Sequence, residues 1–334
     1  MSPYEREVVV HELTHALQDQ RFGVGKRMVE LAKDDHPDDA VADVLDAVVE
    51  GDAERTAQLY RDSLRPAQRK RLVAAERAFE KPLLAKVSKV PKVVVAYMSA
   101  PYALGQALVT TAAQTSTGRG VDDLMVNTPR HDAVLLDPFA IVARETDAAQ
   151  VDRPALRDGE KKFDDGEFGA VSWYLMLAER LPLSDALAAV DGWHGDRYVA
   201  FERNKQSCVR ATFAGAGRTA ATTMYTALVR WQQAVRGYPA SSSIHGARVT
   251  FETCDPGTKS RGGAGHATEA LGFAASRAYL SLEMVKLGAP TNAARCFGSK
   301  ALATFTLAQL NNRSYVQRPE VQARLAQLGA ECRR

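Results

Sequence analysis

Apolar residues recur with helical spacing through most of the first 190 residues and again after about residue 267. This pattern predicts helices at 3–22, 38–64, 66–80, 101–114, 168–180 and 184–190. A polar stretch at 149–167 and a Gly-rich stretch at 237–246 predict loops. Between them the pattern alternates, predicting strands at 197–202, 207–213 and 247–253 around a helix at 219–235. The sequence therefore predicts an α+β fold, mainly α-helical, with a small antiparallel sheet in the C-terminal half.

The first predicted helix has clear start and end signals. Ser2 and Glu5 form an S-x-x-E capping box, Pro3 suits the first helical position, and Gly23 follows the last periodic residue. We expect its apolar residues to pack against the rest of the protein; they are Val8, Val9, Leu13, Ala16 and Leu17.

This helix carries an H-E-x-x-H motif, His11-Glu12-Leu13-Thr14-His15. Residues four apart lie on one face of a helix, so both imidazoles can bind the same metal ion. Glu12 then lies beside the metal as a general base for a bound water. We predict His11 and His15 as metal ligands and Glu12 as a catalytic residue. The alternative is a pair of ordinary helix histidines bonded to their neighbours.

A catalytic zinc site needs a third protein ligand, with a fourth position left to water. The elongated zinc-peptidase pattern fails here, because it would place that ligand at Arg21 and a glycine at Gln18. The better candidate is Glu50 on the next helix, with Glu54 one turn later to orient a ligand histidine. Gly51 in mid-helix predicts a close approach to the first helix. The competing interpretation of Glu50 and Glu54 is a solvated acidic face.

These motifs resemble those of the gluzincin class of zinc peptidases, to which thermolysin belongs. The strings at 11–20 and 49–53 are similar to a bacterial family, common in actinobacteria, whose members are classed as secreted zinc metallopeptidases. Looser matches lie at Pro101-Tyr102-x-x-Gly105, 127–129 and 192–198. The resemblance covers roughly residues 2 to 200. It implies a Zn²⁺ cofactor, a peptide or protein substrate and zinc-dependent hydrolysis of peptide bonds, and it implies an extracytoplasmic location, secreted or in the cell envelope.

One feature departs from this class. Its members carry a β-sheet before the active-site helix, and the edge strand pairs with the extended substrate. The predicted helix begins at residue 3, so we expect either a truncated chain or a strand supplied by a later segment, and we favour truncation. We divide the chain into a zincin-like core at 1–190 and an accessory domain at 191–334. A degenerate, non-catalytic zincin-like domain with a binding or structural role in the cell envelope is the alternative function.

Peptide hydrolysis also needs a hydrogen-bond donor for the developing oxyanion. Four side chains are chemically suitable: Tyr102, His131, Arg197 and Tyr198. We rank Arg197 and Tyr198 first as catalytic residues because they lie in one of the matching motifs. The alternative is a local ion pair between Asp196 and Arg197 and a core position for Tyr198.

Charge and cysteine content restrict the class of protein. The chain has 43 basic and 40 acidic residues, which argues against nucleic acid as a partner. No apolar run approaches the roughly 18 residues of a membrane span, and the given chain starts in a polar helix rather than a signal peptide. The four cysteines predict two disulfides, Cys208–Cys254 and Cys296–Cys332 among three possible pairings, and these favour an extracytoplasmic location. Four free thiols are the alternative.

Overall fold

A computed structural model describes residues 1–33, 40–115, 120–235, 237–257 and 265–333. The helices of the first 190 residues are α1 (Pro3–Phe22), α2 (Val24–Leu31), α3 (Ala40–Ser63), α4 (Pro66–Val87), α5 (Lys92–Thr115), α6 (Gly120–Val126), α7 (Ala133–Leu136), α8 (Phe139–Ala143), α9 (Ala170–Ala178) and α10 (Leu183–Val190). Those that follow are α11 (Arg218–Gln233), α12 (Ala267–Lys286), α13 (Thr291–Thr304), α14 (Leu307–Leu310), α15 (Arg313–Val316) and α16 (Pro319–Glu331). The strands are β1 (Lys161–Gly166), β2 (Trp193–Arg203), β3 (Gln206–Gly215), β4 (Ala240–His245) and β5 (Arg248–Cys254). The predicted α+β, mainly helical fold is confirmed.

The strands form one antiparallel sheet in the order β1-β2-β3-β5-β4, with α11 packed against β3, β4 and β5. The two edge strands, β1 and β4, lie in the segments 149–167 and 237–246, so the prediction of loops there was wrong. Both strands are held by main-chain pairing and are largely exposed. An edge strand of this kind buries no apolar face and therefore leaves no alternating pattern in the sequence.

Two helices are longer than predicted. α4 continues to Val87 rather than residue 80, and α5 begins at Lys92 rather than at Pro101, which lies inside it. Residues 38 and 39, at the predicted start of the second helix, lie outside the described residues.

In the described part of the chain, α5 is long and apolar enough by length and composition to cross a membrane. It packs against α3 and α12, and a core helix of a soluble protein passes the same test, so the predicted lack of a membrane segment stays a prediction.

α1 packs against α3 and α4 through its polar face. Its fully buried residues are Glu7, Thr14 and Gln18. The prediction that its apolar residues face the protein was wrong, because all of the following are exposed: Val8, Val9, Leu13, Ala16 and Leu17. The polar face is buried because Glu7 and Gln18 find hydrogen-bond partners on α3, and Thr14 donates to the carbonyl of Val10 within α1.

The strongest of these partnerships is an ion triad joining three helices. Arg61 on α3 donates two hydrogen bonds to Glu7 on α1, at 2.7 and 3.0 Å, and a third to Glu76 on α4 at 2.7 Å. The Glu7 side chain is only 8% exposed, so its charge requires this pairing. The triad fixes α1 on α3 about one turn before the histidine motif.

α3 and α5 cross with their backbones in contact. A Cβ added at Gly51 would overlap the carbonyl of Gly105, and a Cβ added at Gly105 would overlap the carbonyl of Ala47. Gly51 therefore does serve a close helix approach, but the partner is α5 and not the first helix. The contact places Glu50, next to Gly51, at a fixed distance from α5.

The cores of the two predicted domains are continuous. One hydrophobic cluster contains Leu104 and Tyr174 together with Phe213 and Leu271. The boundary at residue 190 stays a prediction.

Both predicted disulfides are present. Cys208–Cys254 joins β3 and β5, and Cys296–Cys332 joins α13 to the end of α16. Two such bonds are compatible with an extracytoplasmic location.

Adding a methyl group at the α3–α5 crossing tests its tightness. We expect Gly51→Ala and Gly105→Ala each to lower the free energy of unfolding by about 3 kcal/mol or more, since the obstructing atoms are backbone. Gly272→Ala on α12 is the matched control, because its new Cβ meets nothing within 4 Å. It should stabilise the protein by about 0.5–1 kcal/mol. Denaturant unfolding measures all three; a Gly105→Ala protein as stable as Gly272→Ala would show that the crossing is loose.

Candidate metal centre

The structure brings the three predicted ligands together between α1 and α3. His11 Nε2 lies 3.0 Å from His15 Nε2 and 3.2 Å from Glu50 Oε2, and His15 Nε2 lies 3.5 Å from the same oxygen. The side chains are mostly buried, with 15% of His11 and 17% of Glu50 exposed. Among the residues that the structure describes, this group could hold a metal ion.

Gln18 has contacts that define the tautomer of His15. Its amide nitrogen donates to the carbonyl of Val49 at 3.0 Å and to Asp52 Oδ2 at 3.1 Å. Since both of these partners are acceptors, the amide is oriented with Oε1 towards His15 Nδ1, 2.9 Å away. His15 therefore donates from Nδ1, and Nε2 is the ring nitrogen that lies towards Glu50.

Glu54 lies beside His11 as Gln18 lies beside His15. Its Oε1 lies 3.4 Å from His11 Nδ1, on the side of the ring away from Glu50. A carboxylate at that place favours the proton on Nδ1 and directs Nε2 to the centre. Glu54 therefore lies beside one of the predicted ligands, and its orienting role stays a prediction.

The arrangement of the three ligand atoms suits a bound cation better than hydrogen bonding among the three atoms themselves. Glu50 Oε2 is buried and has no hydrogen-bond partner. Its contact with His11 becomes a hydrogen bond only when His11 is protonated on Nε2. The hydrogen bond with Glu50 is the main reason that the pKa of His11 is raised, with burial opposing it and Glu54 adding to it. A proton or a metal ion is therefore needed between these atoms.

Spacing and donor type both suit a metal. Ligands of a tetrahedral ion at about 2.0–2.1 Å lie about 3.3 Å from one another, and the three observed separations are 3.0, 3.2 and 3.5 Å. Two imidazole nitrogens and one carboxylate oxygen also form the His₂Glu donor set of hydrolytic metal sites. The residues fit such an ion.

Two further groups lie close enough to this centre to interact with it electrostatically. Glu12 is exposed on α1, and its charge contributes to the raised pKa of His11. Tyr102 lies on α5 and is 44% exposed. Partial burial is the main cause of the raised pKa of Tyr102. The negative charges nearby raise it further; they belong to Glu50, Asp46, Glu54 and Glu12. Its phenol therefore keeps its proton at neutral pH and remains a hydrogen-bond donor near the ligands.

The residues ranked first for the oxyanion lie in the sheet. Arg197 and Tyr198 are on β2, and the Tyr198 hydroxyl donates to Asp164 on β1 at 2.7 Å. The neighbouring Asp196 is buried and accepts hydrogen bonds from the indoles of Trp173 and Trp193. These contacts give the motif at 192–198 a structural role, and the catalytic assignment of Arg197 and Tyr198 stays a prediction.

His131 belongs to a different part of the fold. Its Nδ1 lies 3.3 Å from Glu167, and its ring packs beside Trp193. Sequence reasoning placed Tyr102 among the candidates without preferring it, and it missed the contacts of Gln18 altogether. The available signal for Gln18 was its position three residues after His15, on the same helix face.

Comparison with known proteins adds no assignment. No protein-family model, curated protein or solved structure matches the chain. The function is therefore argued from the geometry of the centre.

Removing the charge beside His11 tests the ligand arrangement. We expect Glu54→Gln to weaken Zn²⁺ binding by about 10- to 100-fold, because a neutral amide makes the imidazole a less basic ligand. Chelator competition measures the dissociation constant. Glu30→Gln on α2, an exposed position, is the control and should bind as the wild type does. Equal affinities for all three proteins would mean that Glu54 does not act on His11.

Proposed function

We propose that this protein is a zinc-dependent metallopeptidase that hydrolyses peptide bonds at the centre formed by His11, His15 and Glu50. One observation carries the proposal: a buried Glu50 oxygen without a hydrogen-bond partner lies 3.2 Å from His11 Nε2 and 3.5 Å from His15 Nε2. Glu12, the residue that follows the first histidine, supplies a carboxylate beside them. The resemblance of these motifs to gluzincin zinc peptidases supports the same function.

The roles of the protein groups follow from their positions. A zinc ion held by His11, His15 and Glu50 would lower the pKa of a bound water to about 7 and would polarise the scissile carbonyl. Glu12 accepts the proton of the attacking water and passes it to the leaving amine. Because Glu12 is exposed, its carboxylate is accessible to both the water and the leaving amine. Tyr102 donates its phenolic hydrogen bond to the developing oxyanion, a role for which its raised pKa keeps it protonated.

The setting of this activity is also a proposal. Peptide or protein substrates follow from the resemblance, and the balanced charge gives no reason to add nucleic acid. The two disulfides are compatible with an oxidising compartment, so we propose that the protein acts outside the cytoplasm, secreted or in the cell envelope.

Two substitutions separate metal binding from catalysis. With zinc-loaded protein and an unfolded protein as substrate, we expect Glu12→Gln to abolish hydrolysis while one zinc ion per chain is retained. We expect Tyr102→Phe to lower kcat by about 10²- to 10³-fold, the usual effect of losing one oxyanion donor. Tyr97→Phe on the same helix, whose hydroxyl donates to Asp43, is the matched control and should stay near the wild-type rate.

The results also decide between the alternatives. A larger loss in Tyr198→Phe than in Tyr102→Phe would favour the residues that the sequence motif ranks first. Zinc binding without turnover of any unfolded protein would favour a non-catalytic zincin-like domain with a binding or structural role.

A further inference from the structure

We propose that Gln18 is a positioning residue of the metal centre: its single amide group sets the tautomer of His15 and fixes the register of α1 against α3. The inference rests on the centre proposed above as a metal site, and it does not require hydrolysis. It concerns a residue that is not a ligand and that the H-E-x-x-H motif does not include.

The first part follows from the hydrogen-bond partners of the amide. Its nitrogen has two acceptors, the carbonyl of Val49 and the carboxylate of Asp52. Turning the amide over would place its oxygen against both acceptors and its NH₂ group against His15. The observed orientation is therefore strongly preferred, and the oxygen that faces His15 accepts only from an Nδ1–H. Metal binding through Nε2 requires this tautomer.

The second part follows from where these acceptors lie on α3. Val49 immediately precedes the ligand Glu50, and Asp52 follows it by two residues. The Gln18 side chain is thus bonded on both sides of the third ligand and to one of the two histidines. Because Gln18 is only 4% exposed, water does not readily replace these bonds if they are lost. A sliding movement of α1 on α3 would break both bonds to α3 at once.

Gln18→Met tests both parts because it keeps the length of the side chain and removes its donors and acceptor. Gln18→Glu separates the effect on the His15 tautomer from the effect on the register of α1, since a carboxylate still accepts from His15 but cannot donate to α3. Gln58→Met is the matched control, because Gln58 is an exposed glutamine on α3 bonded only to Asp62 among the contacts described.

The readouts are the Zn²⁺ dissociation constant, from chelator competition, and the tautomer of His15, from long-range ¹H–¹⁵N NMR of the metal-free protein. We expect the wild type to hold His15 with its proton on Nδ1. In Gln18→Met we expect mixed tautomers and about 10- to 100-fold weaker zinc binding. Gln18→Glu should keep the Nδ1–H tautomer while binding zinc more weakly than the wild type, and Gln58→Met should change neither.

Three results would overturn the proposal. One is a wild-type His15 with its proton on Nε2, which needs no variant and so covers the case in which Gln18→Met does not fold. Another is a folded Gln18→Met that keeps both the wild-type tautomer and the wild-type affinity. The third is a Gln58→Met with the same losses as Gln18→Met. Failure of the peptidase assay would leave these readouts intact, so the two proposals fail separately.

Discussion

The packing of α1 on α3 through buried polar groups is the constraint on which the candidate site depends. A buried polar group without a partner costs far more than an apolar contact gains, so each polar group in this interface restricts where the helices can lie. Glu7 is fixed by Arg61 near the start of α1, and Gln18 is fixed by Val49 and Asp52 near its end. His11 and His15 lie between these two anchors.

The same constraint explains why the centre calls for a cation. At both anchors the buried group of α1 has hydrogen-bond partners on α3. Between them, a buried Glu50 oxygen without a hydrogen-bond partner lies close to Nε2 of both His11 and His15. The hydrogen-bonded contacts of Glu7 and Gln18 therefore hold in place a centre in which a Glu50 oxygen lacks a hydrogen-bond partner. Such local incompleteness is typical of ligand sites, which a protein stabilises from surrounding structure.

α3 is held from its other side by the glycine contact with α5, and this gives the site a third helix. Gly105 and Gly51 let the two backbones touch, and Tyr102 lies one turn before Gly105. The phenol is thereby brought near the ligands by packing that involves no metal chemistry. The sheet, which carries Arg197 and Tyr198, is organised instead around the buried Asp196.

Local information was enough to predict much of the candidate site. The cap of α1 and the four-residue spacing of its histidines depend only on neighbours in the sequence, and the second motif located Glu50 and Glu54. The buried face of α1 could not be predicted in this way, because hydrophobic periodicity assumes that apolar residues face inwards. The partners that reverse this preference lie 31 to 54 residues away in the sequence, and Arg61 is the most distant. The contacts of Gln18 and the edge strands β1 and β4 were missed for the same reason, since both depend on tertiary partners.

The most direct test of the central claim is the amount of zinc retained per chain after zinc is resupplied and unbound metal is removed, measured by elemental analysis. The wild type should retain one zinc ion per chain, and Glu50→Ala should retain almost none while remaining folded by circular dichroism. The surface variant Glu30→Ala should match the wild type. A wild type without zinc, or a Glu50→Ala protein that keeps it, would contradict a metal centre at His11, His15 and Glu50.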